Sequence, residues 1–238
     1  MSHMQPFTIL SLHSSSRIRL SNFPKESTQW MEEAVTMAWP HKTESTGAID
    51  QVVEIKLGGS QWKPGGQDKI QAARLMRNIL TVFRMHGYAL YTSTNVRNGF
   101  GSKDVLFFER PEPCRMSMFI VARHNDNKLR LIHAPVGMVV IVTECIQSNY
   151  TGGSVRVSEY MPACHEFKLK SDPWEDGRSP HGRLMLAHLF ALLNGHGWRL
   201  SATILHSRED EAEETWYFSY EPVAQVVGIV HAPKMDMT

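Results

Sequence analysis

Apolar and polar residues follow two periods along this chain. Residues 17–20 alternate charged with aliphatic side chains, the two-residue period of a half-buried strand. Residues 69–86 repeat apolar positions every three to four residues, which predicts an amphipathic helix. The complete pattern predicts a module of order β-β-α-β-α-β-β, from segments 7–12, 17–20, 27–38, 51–57, 69–86, 88–94 and 105–110, with a polar loop from 41 to 50.

The whole pattern occurs twice. Glu54-Ile55-Lys56-Leu57 returns 112 residues later as Glu166-Phe167-Lys168-Leu169, and His86-Gly87-Tyr88 returns 110 residues later as His196-Gly197-Trp198. The order of the shared segments is kept, which indicates duplication of a complete module. We therefore predict an α+β fold of two tandem homologous modules, residues 5–113 and 114–222. Residues 223–238 form a strand-like extension, or alternatively the truncated start of a third module.

The connections within a module predict how its elements pack. Most are short, as in hairpins, so each sheet should be mainly antiparallel with both helices on one face. The two modules are expected to pack with pseudo-twofold symmetry around an apolar interface. On the long helix, Lys69, Arg77 and Arg84 are expected to face solvent. Residues 136–146 favour a strand by propensity, but they repeat the helix at 27–38, so we predict a helix.

Composition excludes several classes of protein. Hydrophobic content of 42% with 21% charged residues fits a globular chain, and a net charge of +1 creates no overall attraction for nucleic acid or anionic membranes. No apolar run approaches the roughly 20 residues that a membrane-spanning helix needs. The cysteines, Cys114, Cys145 and Cys164, are odd in number and unmatched between modules. They indicate reduced thiols and an intracellular, cytoplasmic location.

The repeated polar residues are explained better by structure than by catalysis. His86 and His196 each precede the glycine expected to end a long helix, where histidine caps carbonyls and suits the helix dipole. No cysteine–histidine spacing typical of zinc and no nucleophile motif occurs. We therefore predict no catalytic residues, no metal and no cofactor.

The candidate binding residues are basic and aromatic. Five cations in total lie on or beside the second hairpin strands of the two modules. They could form one basic strip for phosphate or an acidic partner, although a solvated strand edge protected by its charges is the preferred explanation. Two loop tryptophans could anchor a partner or close the core. The residues are Arg17, Arg19, Arg123, Lys128, Arg130, Trp62 and Trp174.

These observations favour a non-enzymatic intracellular binding or scaffold protein whose partner is another protein. The contact would use the inter-module surface or the basic hairpin strands. An alternative is an enzyme or small-ligand sensor with an asymmetric pocket at the module seam, built from Cys164, His165, His181 and His188. A third hypothesis is weak RNA or phosphate binding by the basic strip. The oligomeric state is left open.

Overall fold

The structure is a computed structural model that describes residues 6–38, 43–49, 52–96, 104–174, 180–204 and 214–221. The predicted extension at 223–238 lies outside these residues. The described elements are β1 (Thr8–His13), β2 (Arg17–Ser21), α1 (Ser27–Ala38), β3 (Thr43–Ile49), β4 (Val52–Leu57), α2 (Asp68–Met85), β5 (Ala89–Thr94), β6 (Val105–Glu109), β7 (Ser117–His124), β8 (Lys128–Ile132), α3 (Val136–Asn149), β9 (Val155–Met161), β10 (Cys164–Leu169), α4 (His181–Gly195), β11 (Arg199–Ile204) and β12 (Thr215–Tyr220).

The strands form two equivalent antiparallel sheets. The first sheet has the order β3-β4-β2-β1-β6-β5, and the second has the matching order β9-β10-β8-β7-β12-β11. Equivalent residues pair alike: Arg19 opposes Glu54 in the first sheet, as Arg130 opposes Glu166 in the second. The α+β class, the duplication and the antiparallel sheets are therefore confirmed.

The predicted polar loop at 41–50 is a correction, because residues 43–49 form strand β3. The module order is thus β-β-α-β-β-α-β-β, with β9 as the second module's counterpart of β3. Both strands lie at a sheet edge, and six of the seven side chains of β3 are exposed. Backbone hydrogen bonds to β4 hold β3 in place. Because its side chains face solvent, the sequence of β3 does not need the alternation of apolar and polar residues that marks a half-buried strand.

The first module buries one face of its sheet under two helices. Leu10, Leu20 and Phe108 project from the first sheet into a core that also contains Met31 of α1 and Phe83 of α2. His86 ends α2, and Gly87 follows with φ of +80°, as expected for a helix C-cap. The predicted helix over 136–146 is confirmed as α3.

The second sheet is covered on both faces. Phe119 and Val121 of β7 pack in one core with α3 and α4, whereas Ile120 of β7 and Tyr217 of β12 join the core of the first module. Neighbouring residues of a strand point to opposite faces, so the first module covers the second sheet's other side. The layers are therefore first sheet, α1 with α2, second sheet, and α3 with α4.

This layer order is head to tail, which corrects the expected pseudo-twofold packing. A twofold axis would place α4 on the first sheet just as α2 lies on the second. Among the described residues, α2 packs against β7 without an equally extensive α4–β1 contact. The two sheets also meet at one edge, where the Ser93 hydroxyl of β5 donates to the Thr203 carbonyl oxygen of β11 over 2.8 Å.

Helix α2 is consequently buried on two sides, and the expectation that Arg77 and Arg84 face solvent is wrong. Arg77 Nε donates to the Met118 carbonyl oxygen over 2.5 Å, and Arg84 Nε donates to Glu221 Oε1 over 2.8 Å. Both arginines cross to the second module, where they bond polar groups beside the apolar contact.

Candidate functional site

The predicted basic residues lie in two separate ion clusters, each containing a carboxylate. In the first sheet, Arg17 and Arg19 both bind Glu54, with 2.7 Å between Arg19 Nε and Glu54 Oε2. The hydrogen bond from Arg19 contributes most to lowering the pKa of Glu54, although burial opposes it. The positive charge expected of a phosphate-binding strip is thus partly neutralised within the cluster.

The equivalent cluster in the second sheet is more deeply buried. Lys128 Nζ lies 3.1 Å from Glu166 Oε1, and Arg130 Nη2 lies 2.8 Å from Glu166 Oε2. Burial raises the pKa of Glu166, but the bonds from Arg130 and Lys128 outweigh it and lower the pKa overall. The Arg130 side chain is 3% exposed, against 37% for Arg19. The two clusters lie on different sheets and do not form one strip.

The two loop tryptophans contribute to packing. Trp62 is fully buried, and its Nε1 donates to the Arg17 carbonyl oxygen over 3.0 Å, which ties the loop to strand β2. Trp174 is half-buried against the second core, and the Arg123 guanidinium lies 5.3 Å from its ring centroid. Neither ring projects from the surface as a binding anchor would.

The residues of the alternative pocket are dispersed. Cys164 is buried on the inner face of the second sheet, and burial raises the pKa of its thiol to about 11. His165 follows it on β10, so it points to the other face. His181 Nδ1 lies 2.6 Å from the Thr151 hydroxyl, and His188 is exposed on α4. Because Cys164 and His165 point to opposite faces of β10, the four residues do not line one pocket.

A different concavity lies at the seam. It has a volume of about 480 Å³ and opens between α1, α2 and the loop that precedes α3. It is lined by Thr36, Met37, Ala38, Gln71, Arg74, Arg77, Asn78 and His133. We call it the seam pocket. The sequence did not indicate this pocket, because the helical pattern predicted a solvent-facing Arg77 and no motif involved His133.

The seam pocket is positively charged. Burial, followed by the charges of Arg77 and Arg74, lowers the pKa of His133 to about 4. Burial, followed by the neighbouring charge of Arg74, also lowers the pKa of Arg77. No carboxylate is among the described lining residues. Among the described residues, the two guanidinium groups therefore have no acidic partner of the kind that binds Arg17, Arg19 and Arg130.

Helices α3 and α4 leave an apolar surface uncovered. Val136 is 84% exposed, and Val140 and Leu184 are each 54% exposed, on the side turned away from the second sheet. Ala187 and Ala191 are exposed on the same side of α4. We call this surface the outer helical face. Its α4 part is the counterpart of the side of α2 that carries the second sheet in the first module.

Other site types receive little support. Within the described part of the chain, no group of three or more His, Cys, Asp or Glu side chains could hold a metal ion. No described helix is both long and apolar enough to cross a membrane. All three cysteines are free thiols. The cytoplasmic location inferred from them stays a prediction.

Comparison with known proteins agrees with the duplication. One protein-family model, for a domain of unknown function, matches the chain twice, over residues 6–109 and 117–219. These matches correspond to the two structural modules. No significant match was found among curated proteins or solved structures.

Proposed function

The chain belongs to this domain family, in two tandem copies, and from that premise we propose that it is a non-enzymatic protein-binding chain that stacks modules of its own kind. The docking surface is the outer helical face, and its occupant is the first sheet of a second copy of the chain. The head-to-tail packing of α2 against the second sheet carries this proposal.

The interface within the chain provides the template. Helix α2 packs on the second sheet through Ala73 and Leu80, which lie in a core shared with Met118 and Ile120. Because this contact joins two different surfaces, stacking two modules leaves one helical layer and one sheet face uncovered. A second copy can repeat the same contact with those two surfaces.

The exposed apolar residues of α3 and α4 support the proposal that a second copy covers these helices. Helices α3 and α4 expose Val136, Val140 and Leu184 to solvent on the side turned away from the second sheet. Apolar side chains that are exposed together typically mark a contact surface. By contrast, the outer side of α1 exposes Glu32 and Glu33. The apolar surface is therefore concentrated where stacking would continue.

The solvent-facing side of the first sheet is suited to pack on the outer helical face of another copy. We call it the open sheet face; its apolar residues Ile9, Val52 and Phe107 are half-buried. Ile9 and Phe107 are paired on neighbouring strands, as Ile120 and Tyr217 are on the inner face of the second sheet. The open sheet face thus corresponds to the face of the second sheet that packs on α2, and it is partly apolar.

The ion cluster on the open sheet face is compatible with being covered. Arg17, Arg19 and Glu54 lie there, and their counterparts include Arg130, which is almost fully buried beside Glu166. Burying a charge is tolerable when it is paired and hydrogen-bonded. The predicted basic residues would then contribute to binding as a neutralised cluster within the contact.

The test measures molecular mass by analytical ultracentrifugation at chain concentrations on the order of 100 µM. The unaltered chain should self-associate. Leu184→Glu, which blocks the α4 part of the outer helical face, and Ile9→Glu, which blocks the open sheet face, should each be monomeric. Val96→Glu is the control, because Val96 is 72% exposed and outside both surfaces.

Mixing the two blocked variants gives the sharpest result. The intact sheet face of Leu184→Glu and the intact helical face of Ile9→Glu should combine into a one-to-one dimer that cannot grow. A monomeric unaltered chain would overturn the proposal. So would continued self-association of Ile9→Glu alone, because it would indicate helical faces pairing with each other.

A further inference from the structure

We infer that the seam pocket is a binding site for a small organic anion, recognised through a phosphate or carboxylate group by Arg74 and Arg77. This inference is independent of module stacking, because it concerns a cleft within one chain. It also differs from the predicted basic strip, since its residues lie on α2 and on the loop before α3.

The first support is an excess of hydrogen-bond donors. A guanidinium carries five N–H donors. Arg74 donates through Nη2 to the Pro162 carbonyl oxygen, and its Nε is buried without a hydrogen-bond partner among the described residues. Arg77 donates to the Met118 carbonyl oxygen and, over 3.1 Å, to Asn78 Oδ1. Several donors at the pocket thus remain available to oxyanion oxygens.

The second support is uncompensated charge. The described partners of Arg74 and Arg77 are neutral carbonyl and amide oxygens. By contrast, Arg84, which also reaches the second module from α2, is paired with Glu221 over 2.8 Å. Partly desolvated cations without a carboxylate favour an anionic ligand, because such charge-assisted bonds are stronger than neutral ones.

The third support is shape and composition. A volume of about 480 Å³ falls in the range of small-molecule pockets. The amides of Gln71 and Asn78 add polar groups to the wall, while Met37 and Ala38 add apolar surface. An anionic head held by the arginines with a short organic body against α1 would use each part of this lining.

Isothermal titration at low ionic strength provides the test, with inorganic phosphate and acetate as separate probes. Arg74→Gln should weaken binding by about tenfold or more. Lys168→Gln is the matched control, because it removes a cation from an exposed group with Arg156 and Lys170 that lines a different concavity. It should leave the affinity within about twofold.

A second measurement on the unaltered chain does not depend on a variant that folds. Nuclear magnetic resonance should show the pKa of the His133 ring rising when the probe binds, because a nearby anion favours the imidazolium form. Binding of either probe with these effects supports the inference, and the two probes distinguish phosphate from carboxylate ligands. The inference is overturned if neither probe binds, or if Lys168→Gln rather than Arg74→Gln abolishes binding.

Discussion

Arg19 and Arg130 occupy equivalent positions in the two modules but differ in burial, so they allow a matched test of what these ion clusters contribute. We expect Arg130→Met to be much more destabilising than Arg19→Met. The Arg130 side chain is 3% exposed, and its guanidinium also lies 4.3 Å from the ring centroid of Tyr160. Its removal leaves the Glu166 carboxylate, which is 11% exposed, with Lys128 as its remaining ion-pair partner.

The expected magnitudes follow from this burial. Breaking a buried pair by removing one partner costs about 3–5 kcal/mol, and the low end applies because Lys128 remains. Arg19 is 37% exposed and Glu54 keeps Arg17, so Arg19→Met should cost about 0–1 kcal/mol. Because methionine keeps most of the aliphatic volume, the comparison mainly tests charge.

Urea denaturation followed by circular dichroism measures the difference. With an m value near 3 kcal/mol/M, a loss of about 3 kcal/mol lowers the midpoint by roughly 1 M. The folded-state pKa of Glu166 is lowered, so the carboxylate stabilises the fold above its unfolded pKa, and this contribution is lost as pH falls through the folded pKa. The gap between Arg130→Met and the unaltered chain should therefore narrow below about pH 4. Equal losses for Arg19→Met and Arg130→Met at neutral pH would refute the reasoning.

Three further predictions concern particular side chains. The pKa of His133 is lowered to about 4 in the folded chain, so the free energy of unfolding should fall by up to about 3 kcal/mol as pH drops from 6.5 towards 4. His133→Asn should remove most of this pH dependence in urea titrations, and asparagine suits the φ of +58° at this position. Gly182→Ala should lower the free energy of unfolding by about 1–3 kcal/mol, because the new Cβ would lie 2.1 Å from the Pro173 carbonyl oxygen. Gly137→Ala should instead stabilise α3 by about 0.5–1 kcal/mol, because its Cβ would meet nothing within 4 Å. Trp62→Ala should cost about 3–5 kcal/mol and Trp174→Ala clearly less; equal costs in thermal or urea unfolding would contradict the difference in burial.

The duplication made the helices predictable, including the one that local propensity opposed. Residues Val139 to Val142 favour a strand, yet they form part of α3 because the repeat aligns them with α1 and the second core covers that helix. The caps at His86 and His196 could be predicted for a related reason. A helix end followed by a left-handed glycine is a local feature, and both glycines have φ near +80°.

The relation between modules could not be predicted in the same way. An apolar pattern shows which side of an element is buried, but not which partner covers it. Helix α2 did carry a signal, since Ile70, Ala73 and Leu80 extend its apolar stripe beyond one face. An apolar stripe this wide indicates a helix buried on two sides, which is consistent with Arg77 lying beside His133 at the seam. The strand β3 gave no comparable signal because six of its seven side chains are exposed.

The burial of the second sheet on both faces has a consequence for biosynthesis. The first module emerges from the ribosome first, and domains generally fold as units during synthesis. Its helix α2 can therefore be in place before Ile120, Ile132 and Tyr217 are translated. A second module made without the first would present those side chains to water and to other nascent chains. The first module thus supplies the apolar surface that covers these side chains once the second sheet has formed.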